Sequence, residues 1–296
     1  MEDRKTILVT GSLGQLGSEL RRLSVQYPAY QFQYVDLKEL DITDGTAIQA
    51  FFQSNLVHAC INTAAYTAVD AAESNKELAK NINVEGVRNI ARACANTHAL
   101  FMHISTDFVF DGEKTTPYAE HDVPRPLNYY GLTKREGEYV AFDECPKTII
   151  IRTAWLYSQF GKNFVKTILQ KGKELGNLSI VSDQIGTPTY AKDLADALLQ
   201  IIVQYDRADD AARSTLHGTY HYTNEGVASW YDFAQSIIEY GGISCVVLPI
   251  RTAQYPTPAL RPAMSVLEKR KIRETFHLHI PHWRESLRDC IRLIYQ

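Results

Sequence analysis

Thr10-Gly11-Ser12-Leu13-Gly14-Gln15-Leu16-Gly17 decides the fold. Its glycines are spaced G-x-x-G-x-x-G, directly after the apolar run Ile7-Leu8-Val9 and before a helical stretch that continues to Arg22. A strand, a glycine turn and a helix in that order let the backbone approach a pyrophosphate and set its charge on a helix N-terminus. Glycine supplies the φ freedom and the close approach. Asp36 ends the next predicted strand, 32–35, and lies 19 residues after Gly17, where a carboxylate accepts hydrogen bonds from an adenosine ribose. That favours NADH. Lys38 nearby would instead pair with the 2′-phosphate of NADPH, so both cofactors stay open. Asp41-Ile42 falls in the following loop, before a helix cap near Thr43-Asp44.

The same alternation continues outward from the turn. Helices are predicted over 47–53, 77–96 and 129–142, and strands over 59–62, 100–104 and 148–153. Strands alternating with helices, with few hairpin signals, predict an α/β fold: a doubly wound, mostly parallel Rossmann-type sheet. After Trp155 the pattern loosens. Helices are expected over 163–175, 192–204 and 230–240, and strands over 178–182 and 219–222. The charged stretch 206–213 reads as a solvated connection, and 255–262, with three prolines, as a loop. Residues 1–155 are expected to form the cofactor domain. Residues 156–296 mainly form a smaller, interleaved substrate domain, with segments near 189–205 and 218–223 returning to the core.

Composition narrows the function classes. The chain has 296 residues, 45% of them hydrophobic, enough for one large α/β core. The net charge of −3 and the absence of a basic run give no reason to expect nucleic-acid binding. The five cysteines are far apart and form no C-x-x-C pair, which argues for reduced, buried thiols rather than disulfides or zinc. No apolar run approaches a membrane span, and the first residues read as a strand, so a cytoplasmic location is expected.

Tyr130-Gly131-Leu132-Thr133-Lys134 places a phenol and an ammonium at i and i+4, on one helix face. The ammonium favours the phenolate and is expected to lower the tyrosine pKa from about 10. A reductase needs such a proton donor while a carbonyl carbon receives hydride. Tyr129 has only Thr133 at i+4, so Tyr130 is the candidate. Thr106, 24 residues before Tyr130, follows the fourth strand, where a hydroxyl points into the ligand crevice of such sheets. It could orient a carbonyl oxygen or the phenol.

With these stretches in hand, the chain resembles the extended short-chain dehydrogenase/reductase family nearly end to end. The likeness also rests on Asn62-Thr63-Ala64-Ala65-Tyr66-Thr67-Ala68-Val69-Asp70, on 105–112 and 152–157, on Ser182-Asp183-Gln184 with Gly186 and Pro188-Thr189, and on 255–262. The resemblance implies NAD(P)H and a dTDP-linked 4-keto-sugar substrate. It implies that Gly11, Gly14, Gln15, Leu16 and Gly17 lie at the pyrophosphate, Asp36 at the ribose, and Asp41 and Ile42 by the adenine. Ala65, Tyr66, Thr67 and Ile104 would line the cofactor, with Thr67 also near the substrate. Thr106, Asp107 and Trp155 would contact the sugar, and Arg261 the diphosphate. Tyr130 would donate the proton, and Lys134 would hold the nicotinamide ribose.

In some relatives three glutamates bridge a dimer through Mg²⁺. Glu19 matches the first, but Lys192 and Arg284 stand at the other two positions. Basic residues repel a hard cation, so no metal is expected, and the chain should be a monomer or weak homodimer. Two other activities remain open. An epimerase would retain its NAD; a dehydratase needs a second carboxyl directly after Asp107, where Phe108 stands. An NADP-binding regulatory subunit like that of methionine adenosyltransferase is the non-catalytic alternative.

Overall fold

Ile7, Leu8 and Val9 are fully buried because β1 (Lys5–Thr10) is an interior strand of a six-stranded sheet, paired on both sides. The computed structural model describes residues 4–296. The sheet is ordered β2 (Tyr30–Tyr34), β1, β3 (Val57–Asn62), β4 (Leu100–Thr106), β5 (Thr148–Thr153) and the strand Gly218–His221. Every adjacent pair is parallel. Parallel strands covered by helices on both faces are apolar throughout rather than alternating, as the unbroken burial of β5 illustrates. The expected doubly wound α/β sheet is therefore the observed one. Strand order reverses between β1 and β3, and the ligand crevice of such a sheet opens there, at the C-terminal strand ends.

Two apolar layers flank the sheet. Leu16, Leu20 and Leu23 of the first helix, Gln15–Leu23, pack with Leu194, Leu198 and Ile201 of the helix Ala191–Arg207 on one face. Ile48, Phe52, Val87, Ile90 and Val140 fill the other. A third cluster, centred on Tyr157, Phe233 and Trp283, is the core of the C-terminal lobe.

Three features differ from the sequence expectations. The helix predicted over 77–96 is interrupted by a π-helical segment, Asn81–Gly86, between Lys76–Lys80 and Val87–Thr97. The stretch 206–213 is largely solvated, as expected, but it is helical and anchored rather than an irregular connection. Asp206 ends the Ala191–Arg207 helix with its side chain only 9% exposed, and it accepts from Tyr30, His58 and Lys5. Asp209 then caps a short helix, Asp210–Leu216, by accepting from the Ala212 N–H. Finally, the C-terminal lobe contains elements the sequence reading passed over: the strand Val246–Ile250, which pairs with Asn177–Val181, and the helices Arg270–Phe276 and Trp283–Ile294. Trp283, Leu287, Cys290 and Ile291 are buried at helical spacing, a signal present in the sequence.

Candidate active site

The glycine turn is built to leave room. Gly11 has φ +63°, and a Cβ there would meet Ala64 N at 2.6 Å. Gly17 lies below the turn, where a Cβ would sit 2.6 Å from Ser12 Cα; it serves helix–strand packing and does not face the cleft. Gly14 is the N-cap of the first helix, and no side chain caps it. The donors of that first turn are thus left for an anion. Asp36 is more occupied than its sequence position implies. Its Oδ2 accepts from the Leu13 N–H at 2.9 Å and its Oδ1 from the Leu37 N–H at 2.9 Å, so it also fixes the turn.

A cleft of about 760 Å³ opens over the strand ends. Gly11, Gly14, Gln15, Leu16, Asp36, Asp41 and Ile42 line one end; Ala65, Thr67, Ile104, Thr106, Asp107, Tyr130, Lys134 and Trp155 line the other. Tyr66 and Arg261 are not in the lining. The Tyr66 backbone is bolted to Asn83, which also donates to Thr133. The π-helical segment carries Asn83, and Gly137 lets the next helix pass its carbonyl. Arg261 makes a forked ion pair with Asp70, Nη2 to Oδ2 at 2.8 Å and Nη1 to Oδ1 at 3.1 Å, holding the Asp70 carboxyl below its ordinary pKa. This clasp joins the proline loop to the cofactor side, so the arginine fork expected at a diphosphate is engaged here by a carboxylate.

Tyr130 and Lys134 stand on the helix Tyr129–Glu144. Asn128 caps it by accepting from the Gly131 N–H, and donates to the Leu260 carbonyl of the proline loop. A Cβ at Gly131 would collide with the Phe108 carbonyl, so glycine alone lets this helix lie against the turn after β4. That approach brings the Tyr130 ring edge-on to Phe108, with centroids 5.9 Å apart, and its phenol towards Thr106. Tyr129 instead faces Lys76, outside the cleft.

The electrostatics correct one expectation. Burial pushes the Tyr130 phenol up to about 12, partly offset by hydrogen bonding to Thr106; the Lys134 ammonium does not lower it. Lys134 Nζ is held elsewhere, donating to the Ile104 carbonyl at 2.7 Å and lying 3.3 Å from His103 Nε2. Burial brings Lys134 itself down to about 8, against the pull of Glu138. Tyr130 is therefore fully protonated near neutrality, the form a proton donor requires. Thr106 caps the turn after β4, accepting from the Phe108 N–H and donating to Asp107 Oδ1. Asp107 is buried, its pKa raised to about 6 by that burial, and its Oδ2 has no partner.

Sequence reasoning missed several cleft residues. Thr153, register partner of Thr106, presents a buried hydroxyl without a partner. Lys162 and Asn163 enter from the loop after β5, and Asn163 donates to the Gln15 side chain at 2.9 Å. Trp155 has φ +47°, a sparsely populated conformation. Its indole stacks on Trp230, centroids 3.6 Å apart, and a Cβ on Gly186 would lie 2.6 Å from it. Glu19 is buried and bound by Arg22 and Ser158, turned into the fold.

The donors left open at the first helix, in a cleft that reaches on to Thr106, Asp107, Tyr130 and Thr153, fit a dinucleotide and a polyhydroxy substrate. Parallel sheet, glycine turn and Tyr–Lys pair together define a dinucleotide-dependent oxidoreductase of the extended short-chain type. The chain belongs to the RmlD substrate binding domain family, whose model matches residues 5–295. A dTDP-4-dehydrorhamnose reductase of Aggregatibacter actinomycetemcomitans is 40% identical over 289 residues, 96% of this chain and 97% of that one. The crystal structure of a Clostridium acetobutylicum dTDP-4-dehydrorhamnose reductase is 40% identical, covers 98% of this chain and 100% of its own, and has a TM-score of 0.92. That of the Bacillus anthracis reductase in complex with NADP is 37% identical, covers 98% and 99%, and also has a TM-score of 0.92.

Proposed function

We propose that this chain reduces the 4-keto group of dTDP-4-dehydro-L-rhamnose to give dTDP-L-rhamnose, using NADPH or NADH. The carrying observation is the buried Tyr130 beside Thr106, with Lys134 one turn further along the same helix, in a cleft that continues to the glycine turn. A bound nicotinamide supplies the hydride. Tyr130 gives its proton to the oxygen of the former carbonyl, and Thr106 orients that oxygen. Lys134 holds the nicotinamide ribose and is a source for the proton that Tyr130 gives up. Asp107 and Thr153, which line the same end of the cleft, would lie beside the sugar hydroxyls. Trp155, held by Trp230 and the bare Gly186 backbone, bounds the sugar. Residues 1–155 form the cofactor unit in this reading, and 156–296 mainly the substrate unit. The protein works in the cytoplasm as a monomer or weak homodimer, without a metal bridge, membrane or nucleic-acid partner. Among the described residues no helix is long and apolar enough to cross a membrane.

Turnover with a panel of nucleotide-linked 4-keto-sugars tests the reading. The dTDP-linked rhamnose precursor should be reduced fastest. Failure to reduce any of them, together with tight binding to a second enzyme, would instead indicate a regulatory subunit.

Cofactor choice follows from Asp36 and Lys38. NADH and NADPH should both support turnover within about a hundredfold in kcat/KM, worth roughly 2.7 kcal/mol. Asp36→Ala should shift that ratio towards NADPH by removing repulsion from the 2′-phosphate. It should also raise KM for both cofactors, because the Leu13 N–H loses its acceptor. An unchanged NADPH:NADH ratio in this variant would contradict the assignment.

A further inference from the structure

Behind the cleft, a chain of buried polar side chains runs from the glycine turn to Lys134. The Thr10 hydroxyl donates to Asn62 Oδ1 at 2.6 Å, Asn62 Nδ2 lies 3.1 Å from His103 Nδ1, and His103 Nε2 lies 3.3 Å from Lys134 Nζ. Asn62 and His103 are completely buried, and neither lines the cleft. Asn62 cannot reverse its amide, because Oδ1 also accepts from the Ala64 N–H at 3.2 Å. Its NH₂ therefore donates to His103 Nδ1. A neutral imidazole whose Nδ1 accepts must carry its proton on Nε2. The resulting N–H points at the Lys134 amine. It opposes the ammonium, a donor facing a donor, and makes a hydrogen bond with the neutral amine.

We propose that His103, locked by Asn62 in the Nε2–H tautomer, is a positioning residue that makes Lys134 a ready proton source for Tyr130. This rests on the reading of Tyr130 and Lys134 as the reacting pair. Once Tyr130 has protonated the sugar oxygen it is a phenolate. An ammonium opposed by an N–H releases its proton to that phenolate more readily, leaving a neutral amine that accepts from Nε2–H. Burial of Lys134 works in the same direction, and the other side chains around it do not add to that bias. Glu138, one turn along the helix, favours the ammonium, although Arg152 of β5 engages it through both oxygens at 2.8 and 2.7 Å. Tyr130 and Asp107 lie at the cleft end, β3 contributes the uncharged Asn62, and Phe101 packs beside the imidazole with centroids 5.9 Å apart. His103 is held well below its ordinary range by burial and by the Lys134 charge, so the ring is neutral.

Nitrogen NMR of the histidine rings in the full chain, without cofactor, reads the tautomer directly and needs no turnover. His103 should show an unprotonated Nδ1 and a protonated Nε2 from about pH 6 to about pH 9. An Nδ1–H tautomer, or an imidazolium at neutral pH, overturns the proposal even in a fully active enzyme. Turnover supplies the second arm. In His103→Gln a carbonyl oxygen can accept from the ammonium, so the high-pH limb of kcat should move up by about one pH unit while KM changes little. A limb that stays in place with the Nε2–H tautomer confirmed in the unaltered chain also overturns it. Absence of all keto-sugar reduction in the unaltered chain would instead defeat the functional reading on which it rests.

Discussion

Tyr130→Phe should bind NADPH nearly as well as the unaltered chain and turn over about 10²–10⁴-fold more slowly, the span for removing a general acid. The substitution takes away one oxygen and keeps the ring. Its edge-on contact with Phe108 and the helix approach permitted by Gly131 both survive, so loss of fold does not compete as an explanation. The oxygen matters because burial keeps the phenol protonated, with a pKa of about 12, beside the Thr106 hydroxyl. Without it the developing alkoxide has no positioned proton. NADPH oxidation at saturating keto-sugar measures the loss, and fluorescence titration measures cofactor binding. Unchanged turnover would remove Tyr130 as the donor.

Lys134→Met should fail differently, losing both rate and cofactor affinity. Lys134 is 2% exposed, donates to the Ile104 carbonyl, has His103 Nε2 at 3.3 Å behind it, and lines the cleft, where its remaining donor capacity is available to a cofactor. A hydrogen bond from a charged group contributes about 1.5–3 kcal/mol, so cofactor binding should weaken by roughly 10–100-fold. The pH dependence distinguishes this from a general loss of structure. With its value brought down to about 8, Lys134 loses its proton above that pH, and activity of the unaltered chain should fall there. The residual activity of Lys134→Met should lack this limb. Stability should move the other way. A base whose folded pKa lies below its unfolded value of about 10.5 costs stability at low and neutral pH, and the cost fades as pH rises from about 8 to about 10.5. Lys134→Met should therefore melt at a higher temperature at pH 7, with the gain shrinking towards pH 10. A Met variant that is less stable at pH 7 and retains normal cofactor affinity would contradict both assignments.

The sequence made legible what depends on neighbours in the chain. The glycine turn, β1 and β5 follow from local φ requirements and apolar runs, and Tyr130 with Lys134 from helical spacing. What stayed hidden depends on partners far away in sequence. Arg261 and Asp70 meet across 191 positions, and nothing in either segment announces that the fork is engaged. Asp36 is where the spacing from the turn placed it, yet both its oxygens accept from backbone N–H groups, which only the folded loop reveals. The direction of the Tyr130 shift was misjudged for the same reason. Helical spacing gives the presence of Lys134 but not the Ile104 carbonyl that draws its ammonium aside, nor the burial that outweighs it. Asn62 and His103 read as ordinary strand residues until β3 and β4 are set side by side, and their register then makes them direct partners.

The most direct test follows the transferred hydrogen. Dehydrorhamnose linked to dTDP is incubated with NADPH deuterated at carbon 4 of the nicotinamide, and the product is examined by proton and carbon NMR. The expected product is dTDP-L-rhamnose with deuterium on carbon 4 of the sugar, formed by the unaltered chain and, on the same timescale, almost absent with Tyr130→Phe. Deuterium at any other sugar carbon, or label-free product formed equally well by Tyr130→Phe, would contradict it.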